Sequence, residues 1–87
     1  MSRQLNKNKL LGLLDAIRRP GRQIESITDS DSLVRSGLID SLATLDIILF
    51  LETEFSIDFT KDGIDPAALD SIDNILDLMD RRPPKLR

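Results

Sequence analysis

The sequence predicts an all-α domain, a bundle of four helices in which the third is short and a long loop joins the first two. Apolar residues recur at spacings of three and four in three separate stretches, which is the period of an amphipathic helix. Proline and glycine fall between these stretches at Pro20-Gly21, Gly63 and Pro83-Pro84, where they end or interrupt helices. A chain of 87 residues can form one modest core but no second domain.

The first helix is expected from about residue 3 to residue 18, and Arg18-Arg19-Pro20-Gly21 ends it. Residues 20–40 keep no sustained period, so they are expected to form a loop that apolar side chains pin to the core. A single helical turn is expected within this loop at Asp29 to Leu33, because structureless loops of this length are uncommon in compact domains. The helix-forming residues are Leu5, Lys9, Leu10, Leu13, Leu14 and Ile17, and the pinning residues are Ile24, Ile27, Leu33, Leu38 and Ile39.

The second helix is expected over 41–55, with Asp40 or Ser41 as its cap. Residues 61–63 are expected to turn, and residues 64–69 to form a very short helix with Pro66 near its first turn. Asp70 or Ser71 is expected to cap the last helix, whose shared face carries Ile72, Ile75, Leu76 and Met79. The domain is expected to occupy residues 1–82, followed by a disordered basic tail at 83–87.

Cysteine and histidine are both absent from the sequence. This excludes a disulfide, a thiolate nucleophile and a cysteine metal site, together with the Ser/His and Cys/His pairs that perform most nucleophilic catalysis. The sequence therefore gives little support to a serine hydrolase that would use Lys61 as its base. We therefore expect no catalysis and no metal site in the chain itself.

The net charge of −3 conceals a strong pattern along the chain. Residues 1–28 carry six basic and two acidic side chains, residues 29–80 two basic and thirteen acidic, and residues 81–87 four basic. An acidic middle disfavours nucleic acid and favours basic protein surfaces, although solubility alone is an alternative explanation. The longest apolar run is too short to span a bilayer, and the polar first nine residues do not resemble a secretory signal. We expect a cytoplasmic monomer with no stable membrane insertion.

The second helix carries two apolar faces. Ile47, Ile48, Leu51 and Phe55 form a core stripe, and Leu42, Leu45 and Leu49 form a second stripe about 140° away from it. One helix in so small a domain is unlikely to bury both faces, so the second stripe is expected to dock another protein. Coverage of this stripe by the long loop and the short third helix is the alternative.

Two Asp-Ser pairs precede apolar helices, Asp40-Ser41 and Asp70-Ser71, and each serine could simply be a helix cap. Their surroundings differ: the stretch Ser-Gly-Leu-Ile-Asp-Ser-Leu at 36–42, followed by an apolar helix that ends Phe-Leu-Glu-Thr-Glu-Phe-Ser-Ile at 50–57, resembles the acyl carrier protein family. The resemblance covers nearly the whole chain and implies that family's helical bundle. It also implies a 4′-phosphopantetheine arm on Ser41, and it leaves Ser71 as a cap.

The resemblance implies that a phosphopantetheinyl transferase takes the arm from coenzyme A, using magnesium held mainly by the transferase. Asp40 and Leu42 would present the serine, with Gly37 supplying a turn in the loop before it. The arm's thiol would carry an acyl group as a thioester for fatty-acid, lipid or polyketide-type biosynthesis, supplied by a loading ligase and used by downstream transferases or synthases. The partner-docking residues that the resemblance implies are Leu42, Leu45, Asp46, Leu49, Phe50 and Glu52.

Two alternatives stay open at this point. Ala43 and Thr53 stand where carriers of fatty-acid synthesis are more acidic, and the Gly-Leu-Ile-Asp-Ser-Leu motif looks like stand-alone carriers that a dedicated adenylating ligase loads with an amino acid. In the other alternative, the chain is a non-catalytic helical interaction domain in which Ser41 is only a cap.

Overall fold

The computed structural model describes residues 3–81, apart from the side chains of Asp62 and Pro66. Within these residues the chain forms four α-helices and no strand: α1 (Arg3–Ile17), α2 (Thr44–Phe55), α3 (Phe59–Asp62) and α4 (Ile72–Arg81). Three short 3₁₀ segments accompany them, at Ile24–Ser26, Ser41–Ala43 and Pro66–Leu69. The all-helical class with four helices is therefore confirmed, although the short third helix does not lie where the sequence predicts it. The disordered tail expected at 83–87, like the domain's last residue at 82, lies outside the described residues.

The core forms where one face of each long helix meets the loop between α1 and α2. Leu10 and Leu14 of α1, Ile47 and Leu51 of α2, and Ile75 of α4 are all fully buried. Ile72, Ile75, Leu76 and Met79 share the buried face of α4, as their spacing predicts. These helices bury their apolar stripes against one another, which leaves their polar faces to solvent.

The buried stripe of α1 differs from the prediction at its first turn. Leu5 is exposed, and Asn6 is buried with its Nδ2 donating to Asp80 Oδ1 at 3.4 Å. Asn6 lies four residues before Leu10 and eight before Leu14, so it shares their side of the helix, whereas Leu5 lies about 100° away. Helix geometry, rather than side-chain polarity, decides which residue faces α4 here.

The long loop is held by hydrogen bonds at several points, as well as by its apolar side chains. Arg19 N donates to Leu38 O at 2.8 Å, Leu33 N to Asp70 O at 2.6 Å, and Asp73 N to Asp29 O at 2.9 Å. Leu33, Leu38 and Ile39 are buried, and Ile24 and Ile27 are half-buried. Near the turn expected at residues 29–33, a hydrogen-bonded turn forms at 28–31, where Asp31 N donates to Thr28 O at 3.2 Å. Helical turns form at Ile24–Ser26 and through the Ser36 N to Ser32 O bond.

Two other element boundaries also differ from the prediction. Residues 61–63, expected to be a turn, belong largely to α3, because the Asp58 carboxylate caps Lys61 N at 2.9 Å and Gly63 ends the helix with a φ of +67°. The short helix expected over 64–69 is a 3₁₀ segment at Pro66–Leu69, where Asp65 accepts a hydrogen bond from Ala67 N. An aspartate caps the start of each segment. Such caps are single residues, so the apolar period of the sequence does not predict where these segments begin.

Candidate functional site

Ser41 lies at the start of the 3₁₀ turn that leads into α2, and its side chain is exposed. Asp40 is the cap: its Oδ1 accepts a hydrogen bond from Ala43 N at 2.9 Å. Within residues 3–81, the Ser41 hydroxyl has no hydrogen-bond partner. Because the neighbouring Asp40 carboxylate caps Ala43 N, the Ser41 hydroxyl is not used as the cap.

The second Asp-Ser pair has the opposite arrangement. Ser71 is 8% exposed, and its Oγ accepts a hydrogen bond from Asn74 N at 3.1 Å, so serine rather than aspartate caps α4. Asp70 instead receives Leu33 N at its carbonyl oxygen and Val34 N at its carboxylate. Ser71 is thus a structural cap, whereas Ser41 of the other pair has an exposed hydroxyl that caps no helix.

The second apolar stripe of α2 is uncovered. Leu42, Leu45 and Leu49 are 75%, 58% and 59% exposed, whereas Ile47, Leu51 and Phe55 on the other side are buried and Ile48 packs partly against the core. Neither the long loop nor the 3₁₀ segment at Pro66–Leu69 covers this stripe. The exposed stripe begins at the residue after Ser41 and runs two turns along the helix.

The remaining predicted docking residues lie around this stripe. Asp46 and Glu52 are exposed, and Phe50 is half-buried with its ring centroid 6.1 Å from that of Phe55. An open groove of about 380 Å³ lies between α1 and α2, and its lining includes Leu13, Ile17, Asp46, Leu49 and Phe50. Phe50 therefore belongs to both faces, partly packed on the core and partly lining a groove.

Another groove, of about 360 Å³, opens directly beside Ser41. Ser41 and Thr44 line it from the start of α2, Val34 and Ile39 from the long loop, and Asp70 from the segment before α4. Val34, Thr44 and Asp70 are not among the residues that the sequence predicts around the serine. Thr44 lies one helical turn after Ser41, as the sequence spacing allows, whereas only tertiary contacts bring Val34 and Asp70 to the serine.

Gly37 turns the chain just before the site, with a φ of +85° that glycine adopts without strain. The Arg22 guanidinium lies over its Cα: a β-carbon added at Gly37 would come within 3.1 Å of Arg22 Cζ. Two features therefore favour glycine at this position: the backbone conformation, and the Arg22 guanidinium, which a β-carbon would displace by a few tenths of an ångström. The sequence predicts the first reason, and no sequence pattern indicated the second.

Charge is unevenly distributed along the chain before and after Ser41. From Asp40 to Thr60 the chain has five acidic residues and no basic one, whereas residues 16–24 have three arginines and no acid. Within residues 3–81 no cluster of acidic side chains could hold a metal ion, and no helix is long and apolar enough to cross a membrane.

Comparison of the chain with protein-family models, with curated proteins and with solved structures found no match.

Proposed function

We propose that this chain is an acyl carrier protein, which carries an acyl group as a thioester on a 4′-phosphopantetheine arm attached to Ser41. The observation that carries the proposal is the contrast between the two Asp-Ser pairs that precede apolar helices, Asp40-Ser41 and Asp70-Ser71. The pair in the carrier-like motif leaves its hydroxyl exposed and unbonded within residues 3–81, whereas the other serine is buried in a cap. An arm can be attached only where a transferase reaches the oxygen.

The electrostatics at Ser41 suit a phosphodiester. The attached phosphate would sit at the start of α2, where the free amide groups and the helix dipole favour negative charge. Asp40 already uses one carboxylate oxygen to cap Ala43 N, so this aspartate holds the turn that presents the serine. The arm would also supply the thiol that a chain without cysteine lacks.

The uncovered leucines of α2 support a role with partner enzymes. Leu42, Leu45 and Leu49 start beside the attachment point, so an enzyme that acts on the arm would cover them as it approaches. Asp46 and Glu52 flank them, which favours a basic partner surface. By this proposal the partners are a phosphopantetheinyl transferase, a loading ligase and the downstream transferases or synthases, and the chain itself catalyses nothing.

Amino acid cargo is the second candidate, and a structural observation about Ala43 favours it. Ala43 is buried, so the position after Leu42 adds no charge to the docking face. The exposed acids of α2 are Asp46, Glu52 and Glu54 alone, which distinguishes this face from the more acidic one expected of a fatty-acid-synthesis carrier. Stable loading of the armed chain by cell extract with an amino acid, and not with a fatty acid, would replace the acyl assignment.

Intact-mass measurement tests the attachment site. After incubation with coenzyme A, Mg²⁺ and a broad-specificity phosphopantetheinyl transferase, the wild-type mass should rise by one phosphopantetheine unit. Ser41→Ala should abolish the gain, because it removes the accepting oxygen. Ser71→Ala is the matched control and should keep the gain, despite losing a cap worth about 1 kcal/mol.

If the wild-type chain stays unmodified with several such transferases, the carrier function is wrong and a helical interaction domain becomes the better explanation. Modification that persists in Ser41→Ala would contradict Ser41 as the attachment site, but not the carrier function.

A further inference from the structure

The groove beside Ser41 has one charged side chain among its described lining residues, the acid Asp70. The uncharged residues that line it are Val34, Ile39, Ser41, Thr44, Ala67 and Leu69. The attachment point proposed for the arm therefore lies in the wall of the same groove as this carboxylate. A 4′-phosphopantetheine arm is longer than a groove of about 360 Å³ is wide, so the free end of the arm can turn back to Asp70.

The chain around Asp70 fixes its backbone but leaves its carboxylate without a counter-charge. The Asp70 carbonyl oxygen accepts a hydrogen bond from Leu33 N at 2.6 Å. Its Oδ1 accepts only a long one, from Val34 N at 3.5 Å. Within residues 3–81, the acids that form ion pairs are others: Asp15, Asp29, Asp73, Asp77 and Asp80. The half-buried carboxylate of Asp70 thus borders the groove with its charge unpaired.

The apolar residues of the groove offer little surface to a long aliphatic cargo. Ile39 and Leu69 are 1% and 2% exposed, so the core already covers them. Val34 is 38% exposed and Ala67 is a small exposed residue, so these two supply the accessible apolar side chains. An aliphatic chain laid in the groove would gain little apolar burial, and it would remove water from a carboxylate without giving it a partner.

A protonated amine matches this groove better. An ammonium group brings the opposite charge and three N–H donors, and hydrogen bonds between charged groups are stronger than neutral ones. The partial burial of Asp70 limits the competition from water for such a contact. A groove of this volume has room for a small ligand group, such as a short aminoacyl group at the end of the arm.

We propose that the Asp70 carboxylate binds the protonated amine of the cargo, so that the arm carries an aminoacyl group. This inference rests on the arm proposed for Ser41, and it favours the second of the two cargoes. Asp70 is then a specificity residue: it distinguishes an amino acid from an acyl group of the same shape that lacks the amine.

The test attaches matched cargoes to the isotope-labelled chain and compares their amide NMR spectra. The donors are coenzyme A analogues in which nitrogen replaces the sulfur, so that an alanyl or a propionyl group is held by an amide that does not hydrolyse. At about pH 6.5, where an α-amino group is mostly protonated, the alanyl arm should shift the Val34 and Thr44 amide signals relative to the propionyl arm.

Asp70→Asn should reduce this alanyl-specific shift about fivefold, because it removes the charge and keeps an oxygen for Val34 N. Asp65→Asn is the matched control and should keep the shift. It also removes one carboxylate charge and keeps an oxygen for Ala67 N, but Asp65 does not belong to the described lining of the groove. An N-acetylalanyl arm on the wild-type chain, which has no charged amine, should behave like the propionyl arm even if Asp70→Asn does not fold.

Equal shifts with the alanyl and propionyl arms would mean that the groove does not detect the amine, and this result overturns the proposal. An alanyl-specific shift that persists in Asp70→Asn, or no shift from either arm, overturns it as well. All of these results leave the carrier function standing, because the arm has been attached. A wild-type chain that accepts no arm removes both the carrier function and the role of Asp70.

Discussion

The Arg22 side chain packs against Gly37, which leaves room for it because glycine has no side chain. Gly37 has a φ of +85°, and the Arg22 guanidinium lies 3.1 Å from where a β-carbon would be. The sequence predicts the first property, because glycine before a helix is typical of such turns. It could not predict the second, because Arg22 lies fifteen residues earlier and only the fold brings the two together.

Gly37→Ala should therefore lower the free energy of unfolding by about 1–2 kcal/mol through backbone strain, with a further loss from displacing Arg22. The double variant Gly37→Ala/Arg22→Ala should recover the stability lost by displacing Arg22, but not the stability lost through backbone strain. Gly12→Ala is the matched control: it lies within α1 with nothing within 4 Å of an added β-carbon, and it should stabilise the protein by about 0.5–1 kcal/mol. Urea unfolding measures all three. A Gly37→Ala variant as stable as wild type would contradict this account.

At the scale of the helix, α2 has one apolar face in the core and another exposed to solvent. Ile47, Leu51 and Phe55 are buried, while Leu42, Leu45 and Leu49 are exposed. The period of the sequence predicted both stripes, because the spacing fixes which residues share a face. It could not decide whether other parts of the chain cover the second stripe, since that depends on where the loop runs.

Truncating each side of α2 should give very different losses of stability. Leu51→Ala should lower the free energy of unfolding by about 2–5 kcal/mol, because it leaves a cavity in the core. Leu45→Ala removes the same atoms from an exposed position and should change it by no more than about 0.5 kcal/mol. Chemical denaturation of the two variants under one set of conditions provides the comparison. Similar losses in both would show that the stripe at Leu45 is covered.

Across the whole molecule, contacts between distant residues decide what the local patterns leave open. Asp29 joins three elements: its carboxylate pairs with Lys7 of α1 at 2.8 Å, and its carbonyl oxygen accepts from Asp73 N of α4. Arg3 similarly binds Asp77 at 3.1 Å and Asp80 at 2.6 Å. The sequence predicted the number of long helices and most of the core, but charged residues carry no period from which such pairs could be found.

Arg3→Gln should lower the Tm, because it unpairs the acidic side chains of α4 and leaves them to repel one another. The hydrogen bond to Asp80 raises the pKa of Arg3. The stability that the ion pairs contribute is therefore lost only as the pH rises above the ordinary arginine pKa. Salt concentration, rather than pH, is the variable that tests these ion pairs. The difference from wild type should shrink in about 1 M NaCl, where exposed charges are screened. Lys9→Gln, at an exposed base of α1 without an ion pair within residues 3–81, is the control. An unchanged Tm in Arg3→Gln would show that the ion pairs of Arg3 with Asp77 and Asp80 do not stabilise the fold.

The burial of Ser71 also bears on stoichiometry under the proposed function. A transferase that recognised only an Asp-Ser pair before a helix would find two in this chain, yet the second hydroxyl could be reached only by opening the first turn of α4. That opening would cost the cap at Asn74 N and the burial of Ile72. Folding therefore limits these two pairs to one arm, but Ser30 after Asp29 is exposed as well, so under the proposed function a transferase must also recognise the helix that follows Ser41.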